Sequence, residues 1–236
     1  MAKAQAAATQ SSKSPFTTEL PLGALIAELV GTFALTFAVL NTTGNAIVAA
    51  VTLIILVLAL GKLSGGHVNP AITLGLLATR QISWIKAIGY LIAQFIGAMI
   101  AVVVASHFLS GSTDPYTGEA AKIFTVTVNG DWKPFFGELV GAIIFGFGAA
   151  SAILGKKEGY EAAFTIGGSL FVGLLIALSG SSAVLNPAVA LGVGAFDLKN
   201  IWGIWAYGLA PALGVAGGML LYKLLQSDIL SNLRRS

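Results

Sequence analysis

Apolar residues run along this chain in blocks too long and too unbroken for an ordinary soluble core. Six stretches stand out, approximately Leu22 to Leu40, Ala46 to Leu60, Trp84 to Phe108, Phe135 to Leu154, Ala162 to Leu178 and Ile201 to Leu225. A helix needs about 20 mostly apolar residues to cross roughly 30 Å of hydrocarbon. The pattern predicts an all-α membrane protein with six transmembrane helices, the second and fifth reaching full length through their flanks. Residues 1–20 hold no apolar run and predict a disordered tail rather than a cleaved signal peptide. Asp114, Pro115, Gly118, Glu119, Asn129 and Gly130 mark residues 109–134 as a polar linker. Residues 227–236 read as a second tail.

The linker separates two copies of one pattern. Adding 117 to Ser64, Asn69-Pro70-Ala71, Leu74, Gly75, Tyr90, Ala93 and Gly97 gives Ser181, Asn186-Pro187-Ala188, Leu191, Gly192, Tyr207, Ala210 and Gly214. Upstream, Glu28-Leu29-Val30-Gly31 recurs as Glu138-Leu139-Val140-Gly141 at a different offset. The halves are 21–108 and 135–226, each a three-span unit. Three is odd, so the second copy enters from the opposite side and the two form an inverted repeat.

Between the second and third spans of each half lie residues 64–78 and 179–195, too apolar for plain loops and too short to cross. Asn is a strong N-cap and Pro is favoured at the first helical position, so each Asn-Pro-Ala predicts a helix start. Irregular backbone at membrane depth is tolerated only where it is buried in protein or lines water. Two re-entrant half-helices from opposite faces would therefore meet near the midplane with their positive N-terminal ends together.

Composition sharpens this picture, since 56% of the 236 residues are hydrophobic and 10% charged, against about 25% charged in soluble domains. The basic excess falls on one side. With both termini inside, Lys3, Lys13, Lys62, Arg80, Lys86, Lys156, Lys157, Lys223, Arg234 and Arg235 are cytoplasmic, and Lys122, Lys133 and Lys199 are not. The positive-inside rule then puts both termini in the cytoplasm and the linker outside, and no nucleic-acid partner is needed to explain the charge. The plasma membrane is expected, because no organelle signal is recognisable. There is no cysteine, and no phosphate-cradling loop, metal cluster or nucleophile-base pair, so neither an enzyme, a metal nor a cofactor is expected.

The run Ser64-Gly65-Gly66-His67-Val68-Asn69-Pro70-Ala71-Ile72-Thr73-Leu74-Gly75 resembles the first signature of the major intrinsic protein family, the aquaporins and glycerol facilitators. The second Asn-Pro-Ala, AELVGTF at 27–33 and YGLAPALGVAGG in the last span extend the resemblance over about Leu22 to Tyr222. It implies an hourglass of six helices and two half-helices, one pore per subunit and a homotetramer.

Physical reasoning gives the loops a mechanism. Asn69 and Asn186 would aim amide donors at the pore centre, while Pro70, Ala71, Pro187 and Ala188 form the meeting half-helices. Extended backbone at Gly65, Gly66, His67, Val68, Ser182, Ala183, Val184 and Leu185 would present carbonyls that replace part of a solute's hydration. The paired helix ends disfavour cations. The chain departs from the resembled family at the outer constriction, where Val189 replaces the usual Arg. The other implied filter positions are Ala49, Leu174 and Ala183, so the filter is expected to be wide, apolar and a weakened barrier to ions. The expected cargo is water and small neutral solutes, with glycerol among them.

Glu28 and Glu138 are the clear ionisable residues inside spans, and such residues are functional candidates by default. Proton coupling, as in a secondary transporter, is one reading. Support of the re-entrant loops by carboxylate acceptors is the favoured one, because the two positions are symmetric. A non-conducting membrane scaffold is the remaining alternative. His67 is expected to be a packed, hydrogen-bonded loop residue.

Overall fold

A computed structural model describes residues 20–109, 112, 122–196 and 200–233, with side chains as far as 228. The expected N-terminal tail up to residue 19, and residues 110–111 and 113–121 of the linker, fall outside them. The elements are α1 (Leu22–Asn41), α2 (Ala46–Leu60), the short α3 (Pro70–Ala78), α4 (Trp84–Leu109), α5 (Lys133–Ile153), α6 (Gly159–Ala177) and the shorter α7 (Pro187–Gly192). The final helix, α8, starts as Ile201–Gly203, passes through a π-helical turn at Ile204–Leu209 and continues as Ala210–Leu233. It thus continues beyond residue 226. The fold is all-helical, and α1, α4, α5, α6 and α8 are long and apolar enough to span a bilayer. The sixth, α2, has 15 residues, about 22 Å at 1.5 Å per residue, and a turn at Gly61 to Ser64 continues it.

The packing repeats as the sequence does. In the first half α1 packs against α4 and α2; in the second α5 packs against α8 and α6. The halves join through α2 and α6, and each short helix crosses over, α3 against α8 and α7 against α4. Exposed Ile26, Val30, Val51, Ile55, Ile92 and Val172 cover the outer faces, while much of the interior is alanine and glycine. Without a hydrophobic drive between helices in lipid, close approach of backbones supplies the contact energy, and small residues permit it.

Glycine positions show this most directly, and they also repeat. A Cβ at Gly97 would strike the Leu29 carbonyl, and one at Gly214 would sit 2.5 Å from the Leu139 carbonyl, the matching atom of the other half. Gly31 and Gly141 leave room for the side chains of Val68 and Leu185, so the spans make space for the loops. The π turn precedes Pro211, which has no N–H and crowds the carbonyl four residues back. There the Ala210 N–H reaches Trp205, one residue further than in an α-helix.

Adjacent glycines offer a controlled test of this packing. A Cβ at Gly218 would collide with the Ile143 carbonyl, whereas Gly217 is exposed with nothing within 4 Å. Overpacking costs about 1–3 kcal/mol. Gly218→Leu should lower the thermal midpoint of the detergent-purified protein by several degrees and Gly217→Leu should leave it unchanged, as read by aggregation-monitored size exclusion.

Candidate functional site

The loops before α3 and α7 are built by buried carboxylates. Glu28 Oε1 accepts from the Ser64 hydroxyl at 2.6 Å and the His67 N–H at 2.9 Å; Oε2 accepts from the Val68 N–H at 2.7 Å and Gln94 Nε2 at 2.6 Å. Glu138 Oε1 accepts from the Ser181 hydroxyl at 2.7 Å and the Val184 N–H at 2.8 Å, and Oε2 from the Leu185 N–H at 2.7 Å. Both side chains are fully buried. Each carboxylate thereby satisfies two successive amide donors that have no helix to join, and charge-assisted bonds of this kind are worth roughly twice a neutral one. Ser64 and Ser181 repeat one further contact, their hydroxyls accepting from Gly66 N–H and Ala183 N–H at 3.0 and 2.9 Å.

The held backbone is left-handed at matching positions of the two loops. Gly66 and Val68 have φ of 62° and 41°, and the matching Ala183 and Leu185 have 52° and 51°. A positive φ at a β-branched residue is rare and costs on the order of 1–3 kcal/mol. The carboxylate bonds on either side offset it.

Asn69 and Asn186 then start the short helices. Asn69 Oδ1 accepts from the Ala71 N–H at 2.8 Å, and Asn186 Oδ1 from Ala188 and Val189 at 3.0 and 3.4 Å. Their amide nitrogens reach across to the other half, Asn69 Nδ2 to the Leu185 carbonyl at 2.9 Å and Asn186 Nδ2 to the Val68 carbonyl at 3.0 Å. One N–H of each amide, and the carbonyls of Val68 and Leu185, are therefore used within the protein. The carbonyls of Gly65, Gly66, His67, Ser182, Ala183 and Val184 accept from no group among the described residues. Pro70, Ala71, Pro187 and Ala188 are all buried at this junction.

Beyond it, Ala49, Leu174, Ala183 and Val189 line a single cavity of about 20 Å³ with Leu35, Val39, Gly44, Leu170 and Val184. That is room for about one water. The small side chains leave less space than the sequence suggested, because Leu35, Val39, Leu170 and Val184 fill in around them. At the opposite end, Gly61, Lys62, Gly65, Lys157, Glu158 and Tyr160 help to line an open cavity of about 650 Å³.

The halves differ behind their loops. In the first, His67 Nδ1 lies 3.1 Å from Thr73 Oγ1, and Gln94 Nε2 donates to the same hydroxyl at 3.0 Å. The positions 117 further on are Val184, Ala190 and Pro211, so this polar cluster has no counterpart. The Tyr90 hydroxyl donates to the Ser64 carbonyl at 2.7 Å, and the Tyr207 hydroxyl accepts from the Ser182 N–H at 3.2 Å. Sequence reading had Tyr90 and Tyr207 only as repeat matches and Ser182 as a pore carbonyl, and it gave Gln94 and Thr73 no role. A polar residue inside an apolar span was the available signal for Gln94.

The major intrinsic protein family matches this chain over residues 16–222. Nodulin-26 of Glycine max is 30% identical over 216 residues, covering 86% of this chain and 77% of its own. Aquaporin Z of Rhodopseudomonas palustris is 29% identical over 229 residues, covering 86% and 93%. The solved structure of the aquaglyceroporin from Plasmodium falciparum shares the fold with a TM-score of 0.66 at 22% identity, covering 89% of this chain and 98% of the other.

Glutamine in place of either carboxylate turns one acceptor into a donor facing amide or hydroxyl hydrogens. Leaving a buried donor unmet costs about 1–3 kcal/mol. Glu28→Gln and Glu138→Gln should each lower the thermal midpoint by several degrees, measured as for the glycine variants. A Glu28→Gln protein of unchanged stability that no longer transports would instead indicate proton coupling.

Proposed function

Because this chain belongs to the major intrinsic protein family, we propose that it conducts water and small neutral solutes, glycerol being the first to test, through a pore centred on its two Asn-Pro-Ala helices. Members of that family are passive membrane channels for water and small solutes and are not enzymes. The observation that carries the finer reading is the reciprocal bonding of Asn69 to Leu185 and Asn186 to Val68. It supports a centre where a solute oxygen meets the remaining N–H of each amide.

Either side of that centre, the unbonded carbonyls of Gly65, Gly66 and His67 and of Ser182, Ala183 and Val184 would accept hydrogen bonds from a file of waters, with Val68 and Leu185 fixing the ladder by their bonds to the asparagines. Ala49, Leu174, Ala183 and Val189 form the outer filter, without the Arg of the resembled pattern. A ring lined by aliphatic side chains rejects ions by their dehydration, which costs several kcal/mol per ion, rather than by a fixed charge. It also slows water, which gives up hydrogen bonds to pass. Glu28 and Glu138 support the loops; acceptance of four hydrogen bonds within the protein leaves Glu28 poorly placed to relay protons.

The distribution of Lys and Arg supports cytoplasmic termini, residues 1–20 and 227–236 as cytoplasmic tails, and an extracellular 109–134. The halves 21–108 and 135–226 make one pore. A homotetramer in the plasma membrane is the proposed assembly, with water, small neutral solutes and the lipid bilayer as partners.

Stopped-flow light scattering on proteoliposomes tests the reading, with an impermeant osmolyte for water and a glycerol gradient for re-swelling. Shrinkage at least several-fold faster than in empty vesicles is expected, and flow no faster than in empty vesicles would move the protein to a closed or scaffolding role. Val189→Arg puts a guanidinium into a cavity of about 20 Å³ lined by no charged side chain, and should lower water flow several-fold and stop glycerol.

A further inference from the structure

The extended segment 122–130 of the linker is tied to three separate elements at the outer end. The Phe124 N–H donates to the Leu40 carbonyl of α1 at 3.1 Å, and the Val126 N–H to the Val193 carbonyl after α7 at 2.9 Å. Asn200, which also caps the start of α8, donates its amide to the Val128 carbonyl at 2.9 Å. Exposure alternates as on a half-buried strand: Thr125, Thr127 and Asn129 are exposed, Val126 is buried, and Phe124 and Val128 are half-buried against the core.

One of these anchors lies on α1 and another directly after α7, and both helices wall the small outer cavity, α1 through Leu35 and Val39 and α7 through Val189. A further wall residue is Gly44, in the turn between α1 and α2, with φ of 72°. Gly44 presents only backbone to the cavity, and the Phe124 ring stands directly against it: a Cβ there would lie 2.8 Å from ring atoms Cε1 and Cζ. The ring therefore fixes how far this wall can yield.

We infer that Phe124 is a specificity-determining residue of the outer constriction, acting through Gly44 to limit the width of the aperture and so the share of glycerol that passes relative to water. It is a positioning residue, since it lines the cavity only through Gly44. The inference rests on the channel reading above and adds a residue outside the four filter positions.

The test is the ratio of glycerol to water permeability for the wild type, Phe124→Leu and Phe124→Ala in matched proteoliposomes. Removing the ring should raise the ratio at least threefold in Phe124→Ala, with Phe124→Leu between that and the wild type. A ratio unchanged in both variants, or water and glycerol flows that rise or fall in proportion, would overturn the inference. If Phe124→Ala does not assemble, the ratio in Phe124→Leu decides, a rise supporting the inference and no change refuting it. A wild type that passes neither solute overturns the channel reading and this inference with it, whereas a conducting wild type with an unmoved ratio overturns only the role of Phe124.

Discussion

The structure depends on a buried carboxylate in each half that replaces a missing helix. Lipid offers no partner to a free N–H or C=O, so a loop that breaks its own hydrogen bonds at membrane depth must find them elsewhere. Glu28 supplies them to His67 and Val68, and Glu138 to Val184 and Leu185. With these bonds in place the backbone can hold left-handed turns at Val68 and Leu185, and only then do Asn69 and Asn186 arrive facing one another's loops. The glycines at 31 and 141 belong to the same device, because a side chain there would occupy the space of the residue that the carboxylate holds.

Symmetry of backbone does not bring symmetry of environment. His67, Thr73 and Gln94 surround the first loop with hydrogen-bonding groups, while Val184, Ala190 and Pro211 leave the second apolar. The proposed pore is accordingly more polar around its first loop than around its second. The cavity beside the second loop is walled by aliphatic side chains and the backbone of Gly44, so in the proposed pore discrimination there would follow size and dehydration more than hydrogen-bond matching.

Much of this was legible in the sequence because repetition makes weak signals specific. One Asn-Pro-Ala is an ordinary helix start, but two at a fixed offset, each accompanied by a serine, a tyrosine and a carboxylate, indicate one architecture used twice. Unpaired features were harder to read. Gln94 has no repeat partner, so its polarity within an apolar span was the one mark it carried, and Leu35, Val39 and Leu170 look like any other span residues until the helices are packed. The cavity is narrower than four small or apolar filter residues implied for the same reason: the volume left by Ala49 and Ala183 is claimed by side chains of α1 and α6 that line the same cavity. The segment at 122–128 has alternating apolar residues, but its anchors at Leu40, Val193 and Asn200 are distant in sequence, and turn-forming neighbours made it look like plain linker.

The crossed bonds of Asn69 and Asn186 bear on how such a chain is made. Each completes the loop of the other half, so the first three spans leave the ribosome with a Val68 carbonyl whose partner lies more than a hundred residues ahead. That partner arrives only when α7 has been translated and inserted from the opposite face. Until then the first re-entrant loop is an unfinished object inside the bilayer, sheltered by Glu28 but open on its central side. Biogenesis of this fold is therefore a problem of waiting: the early half must keep its place in the membrane, against slipping back to the aqueous side, until the late half closes it.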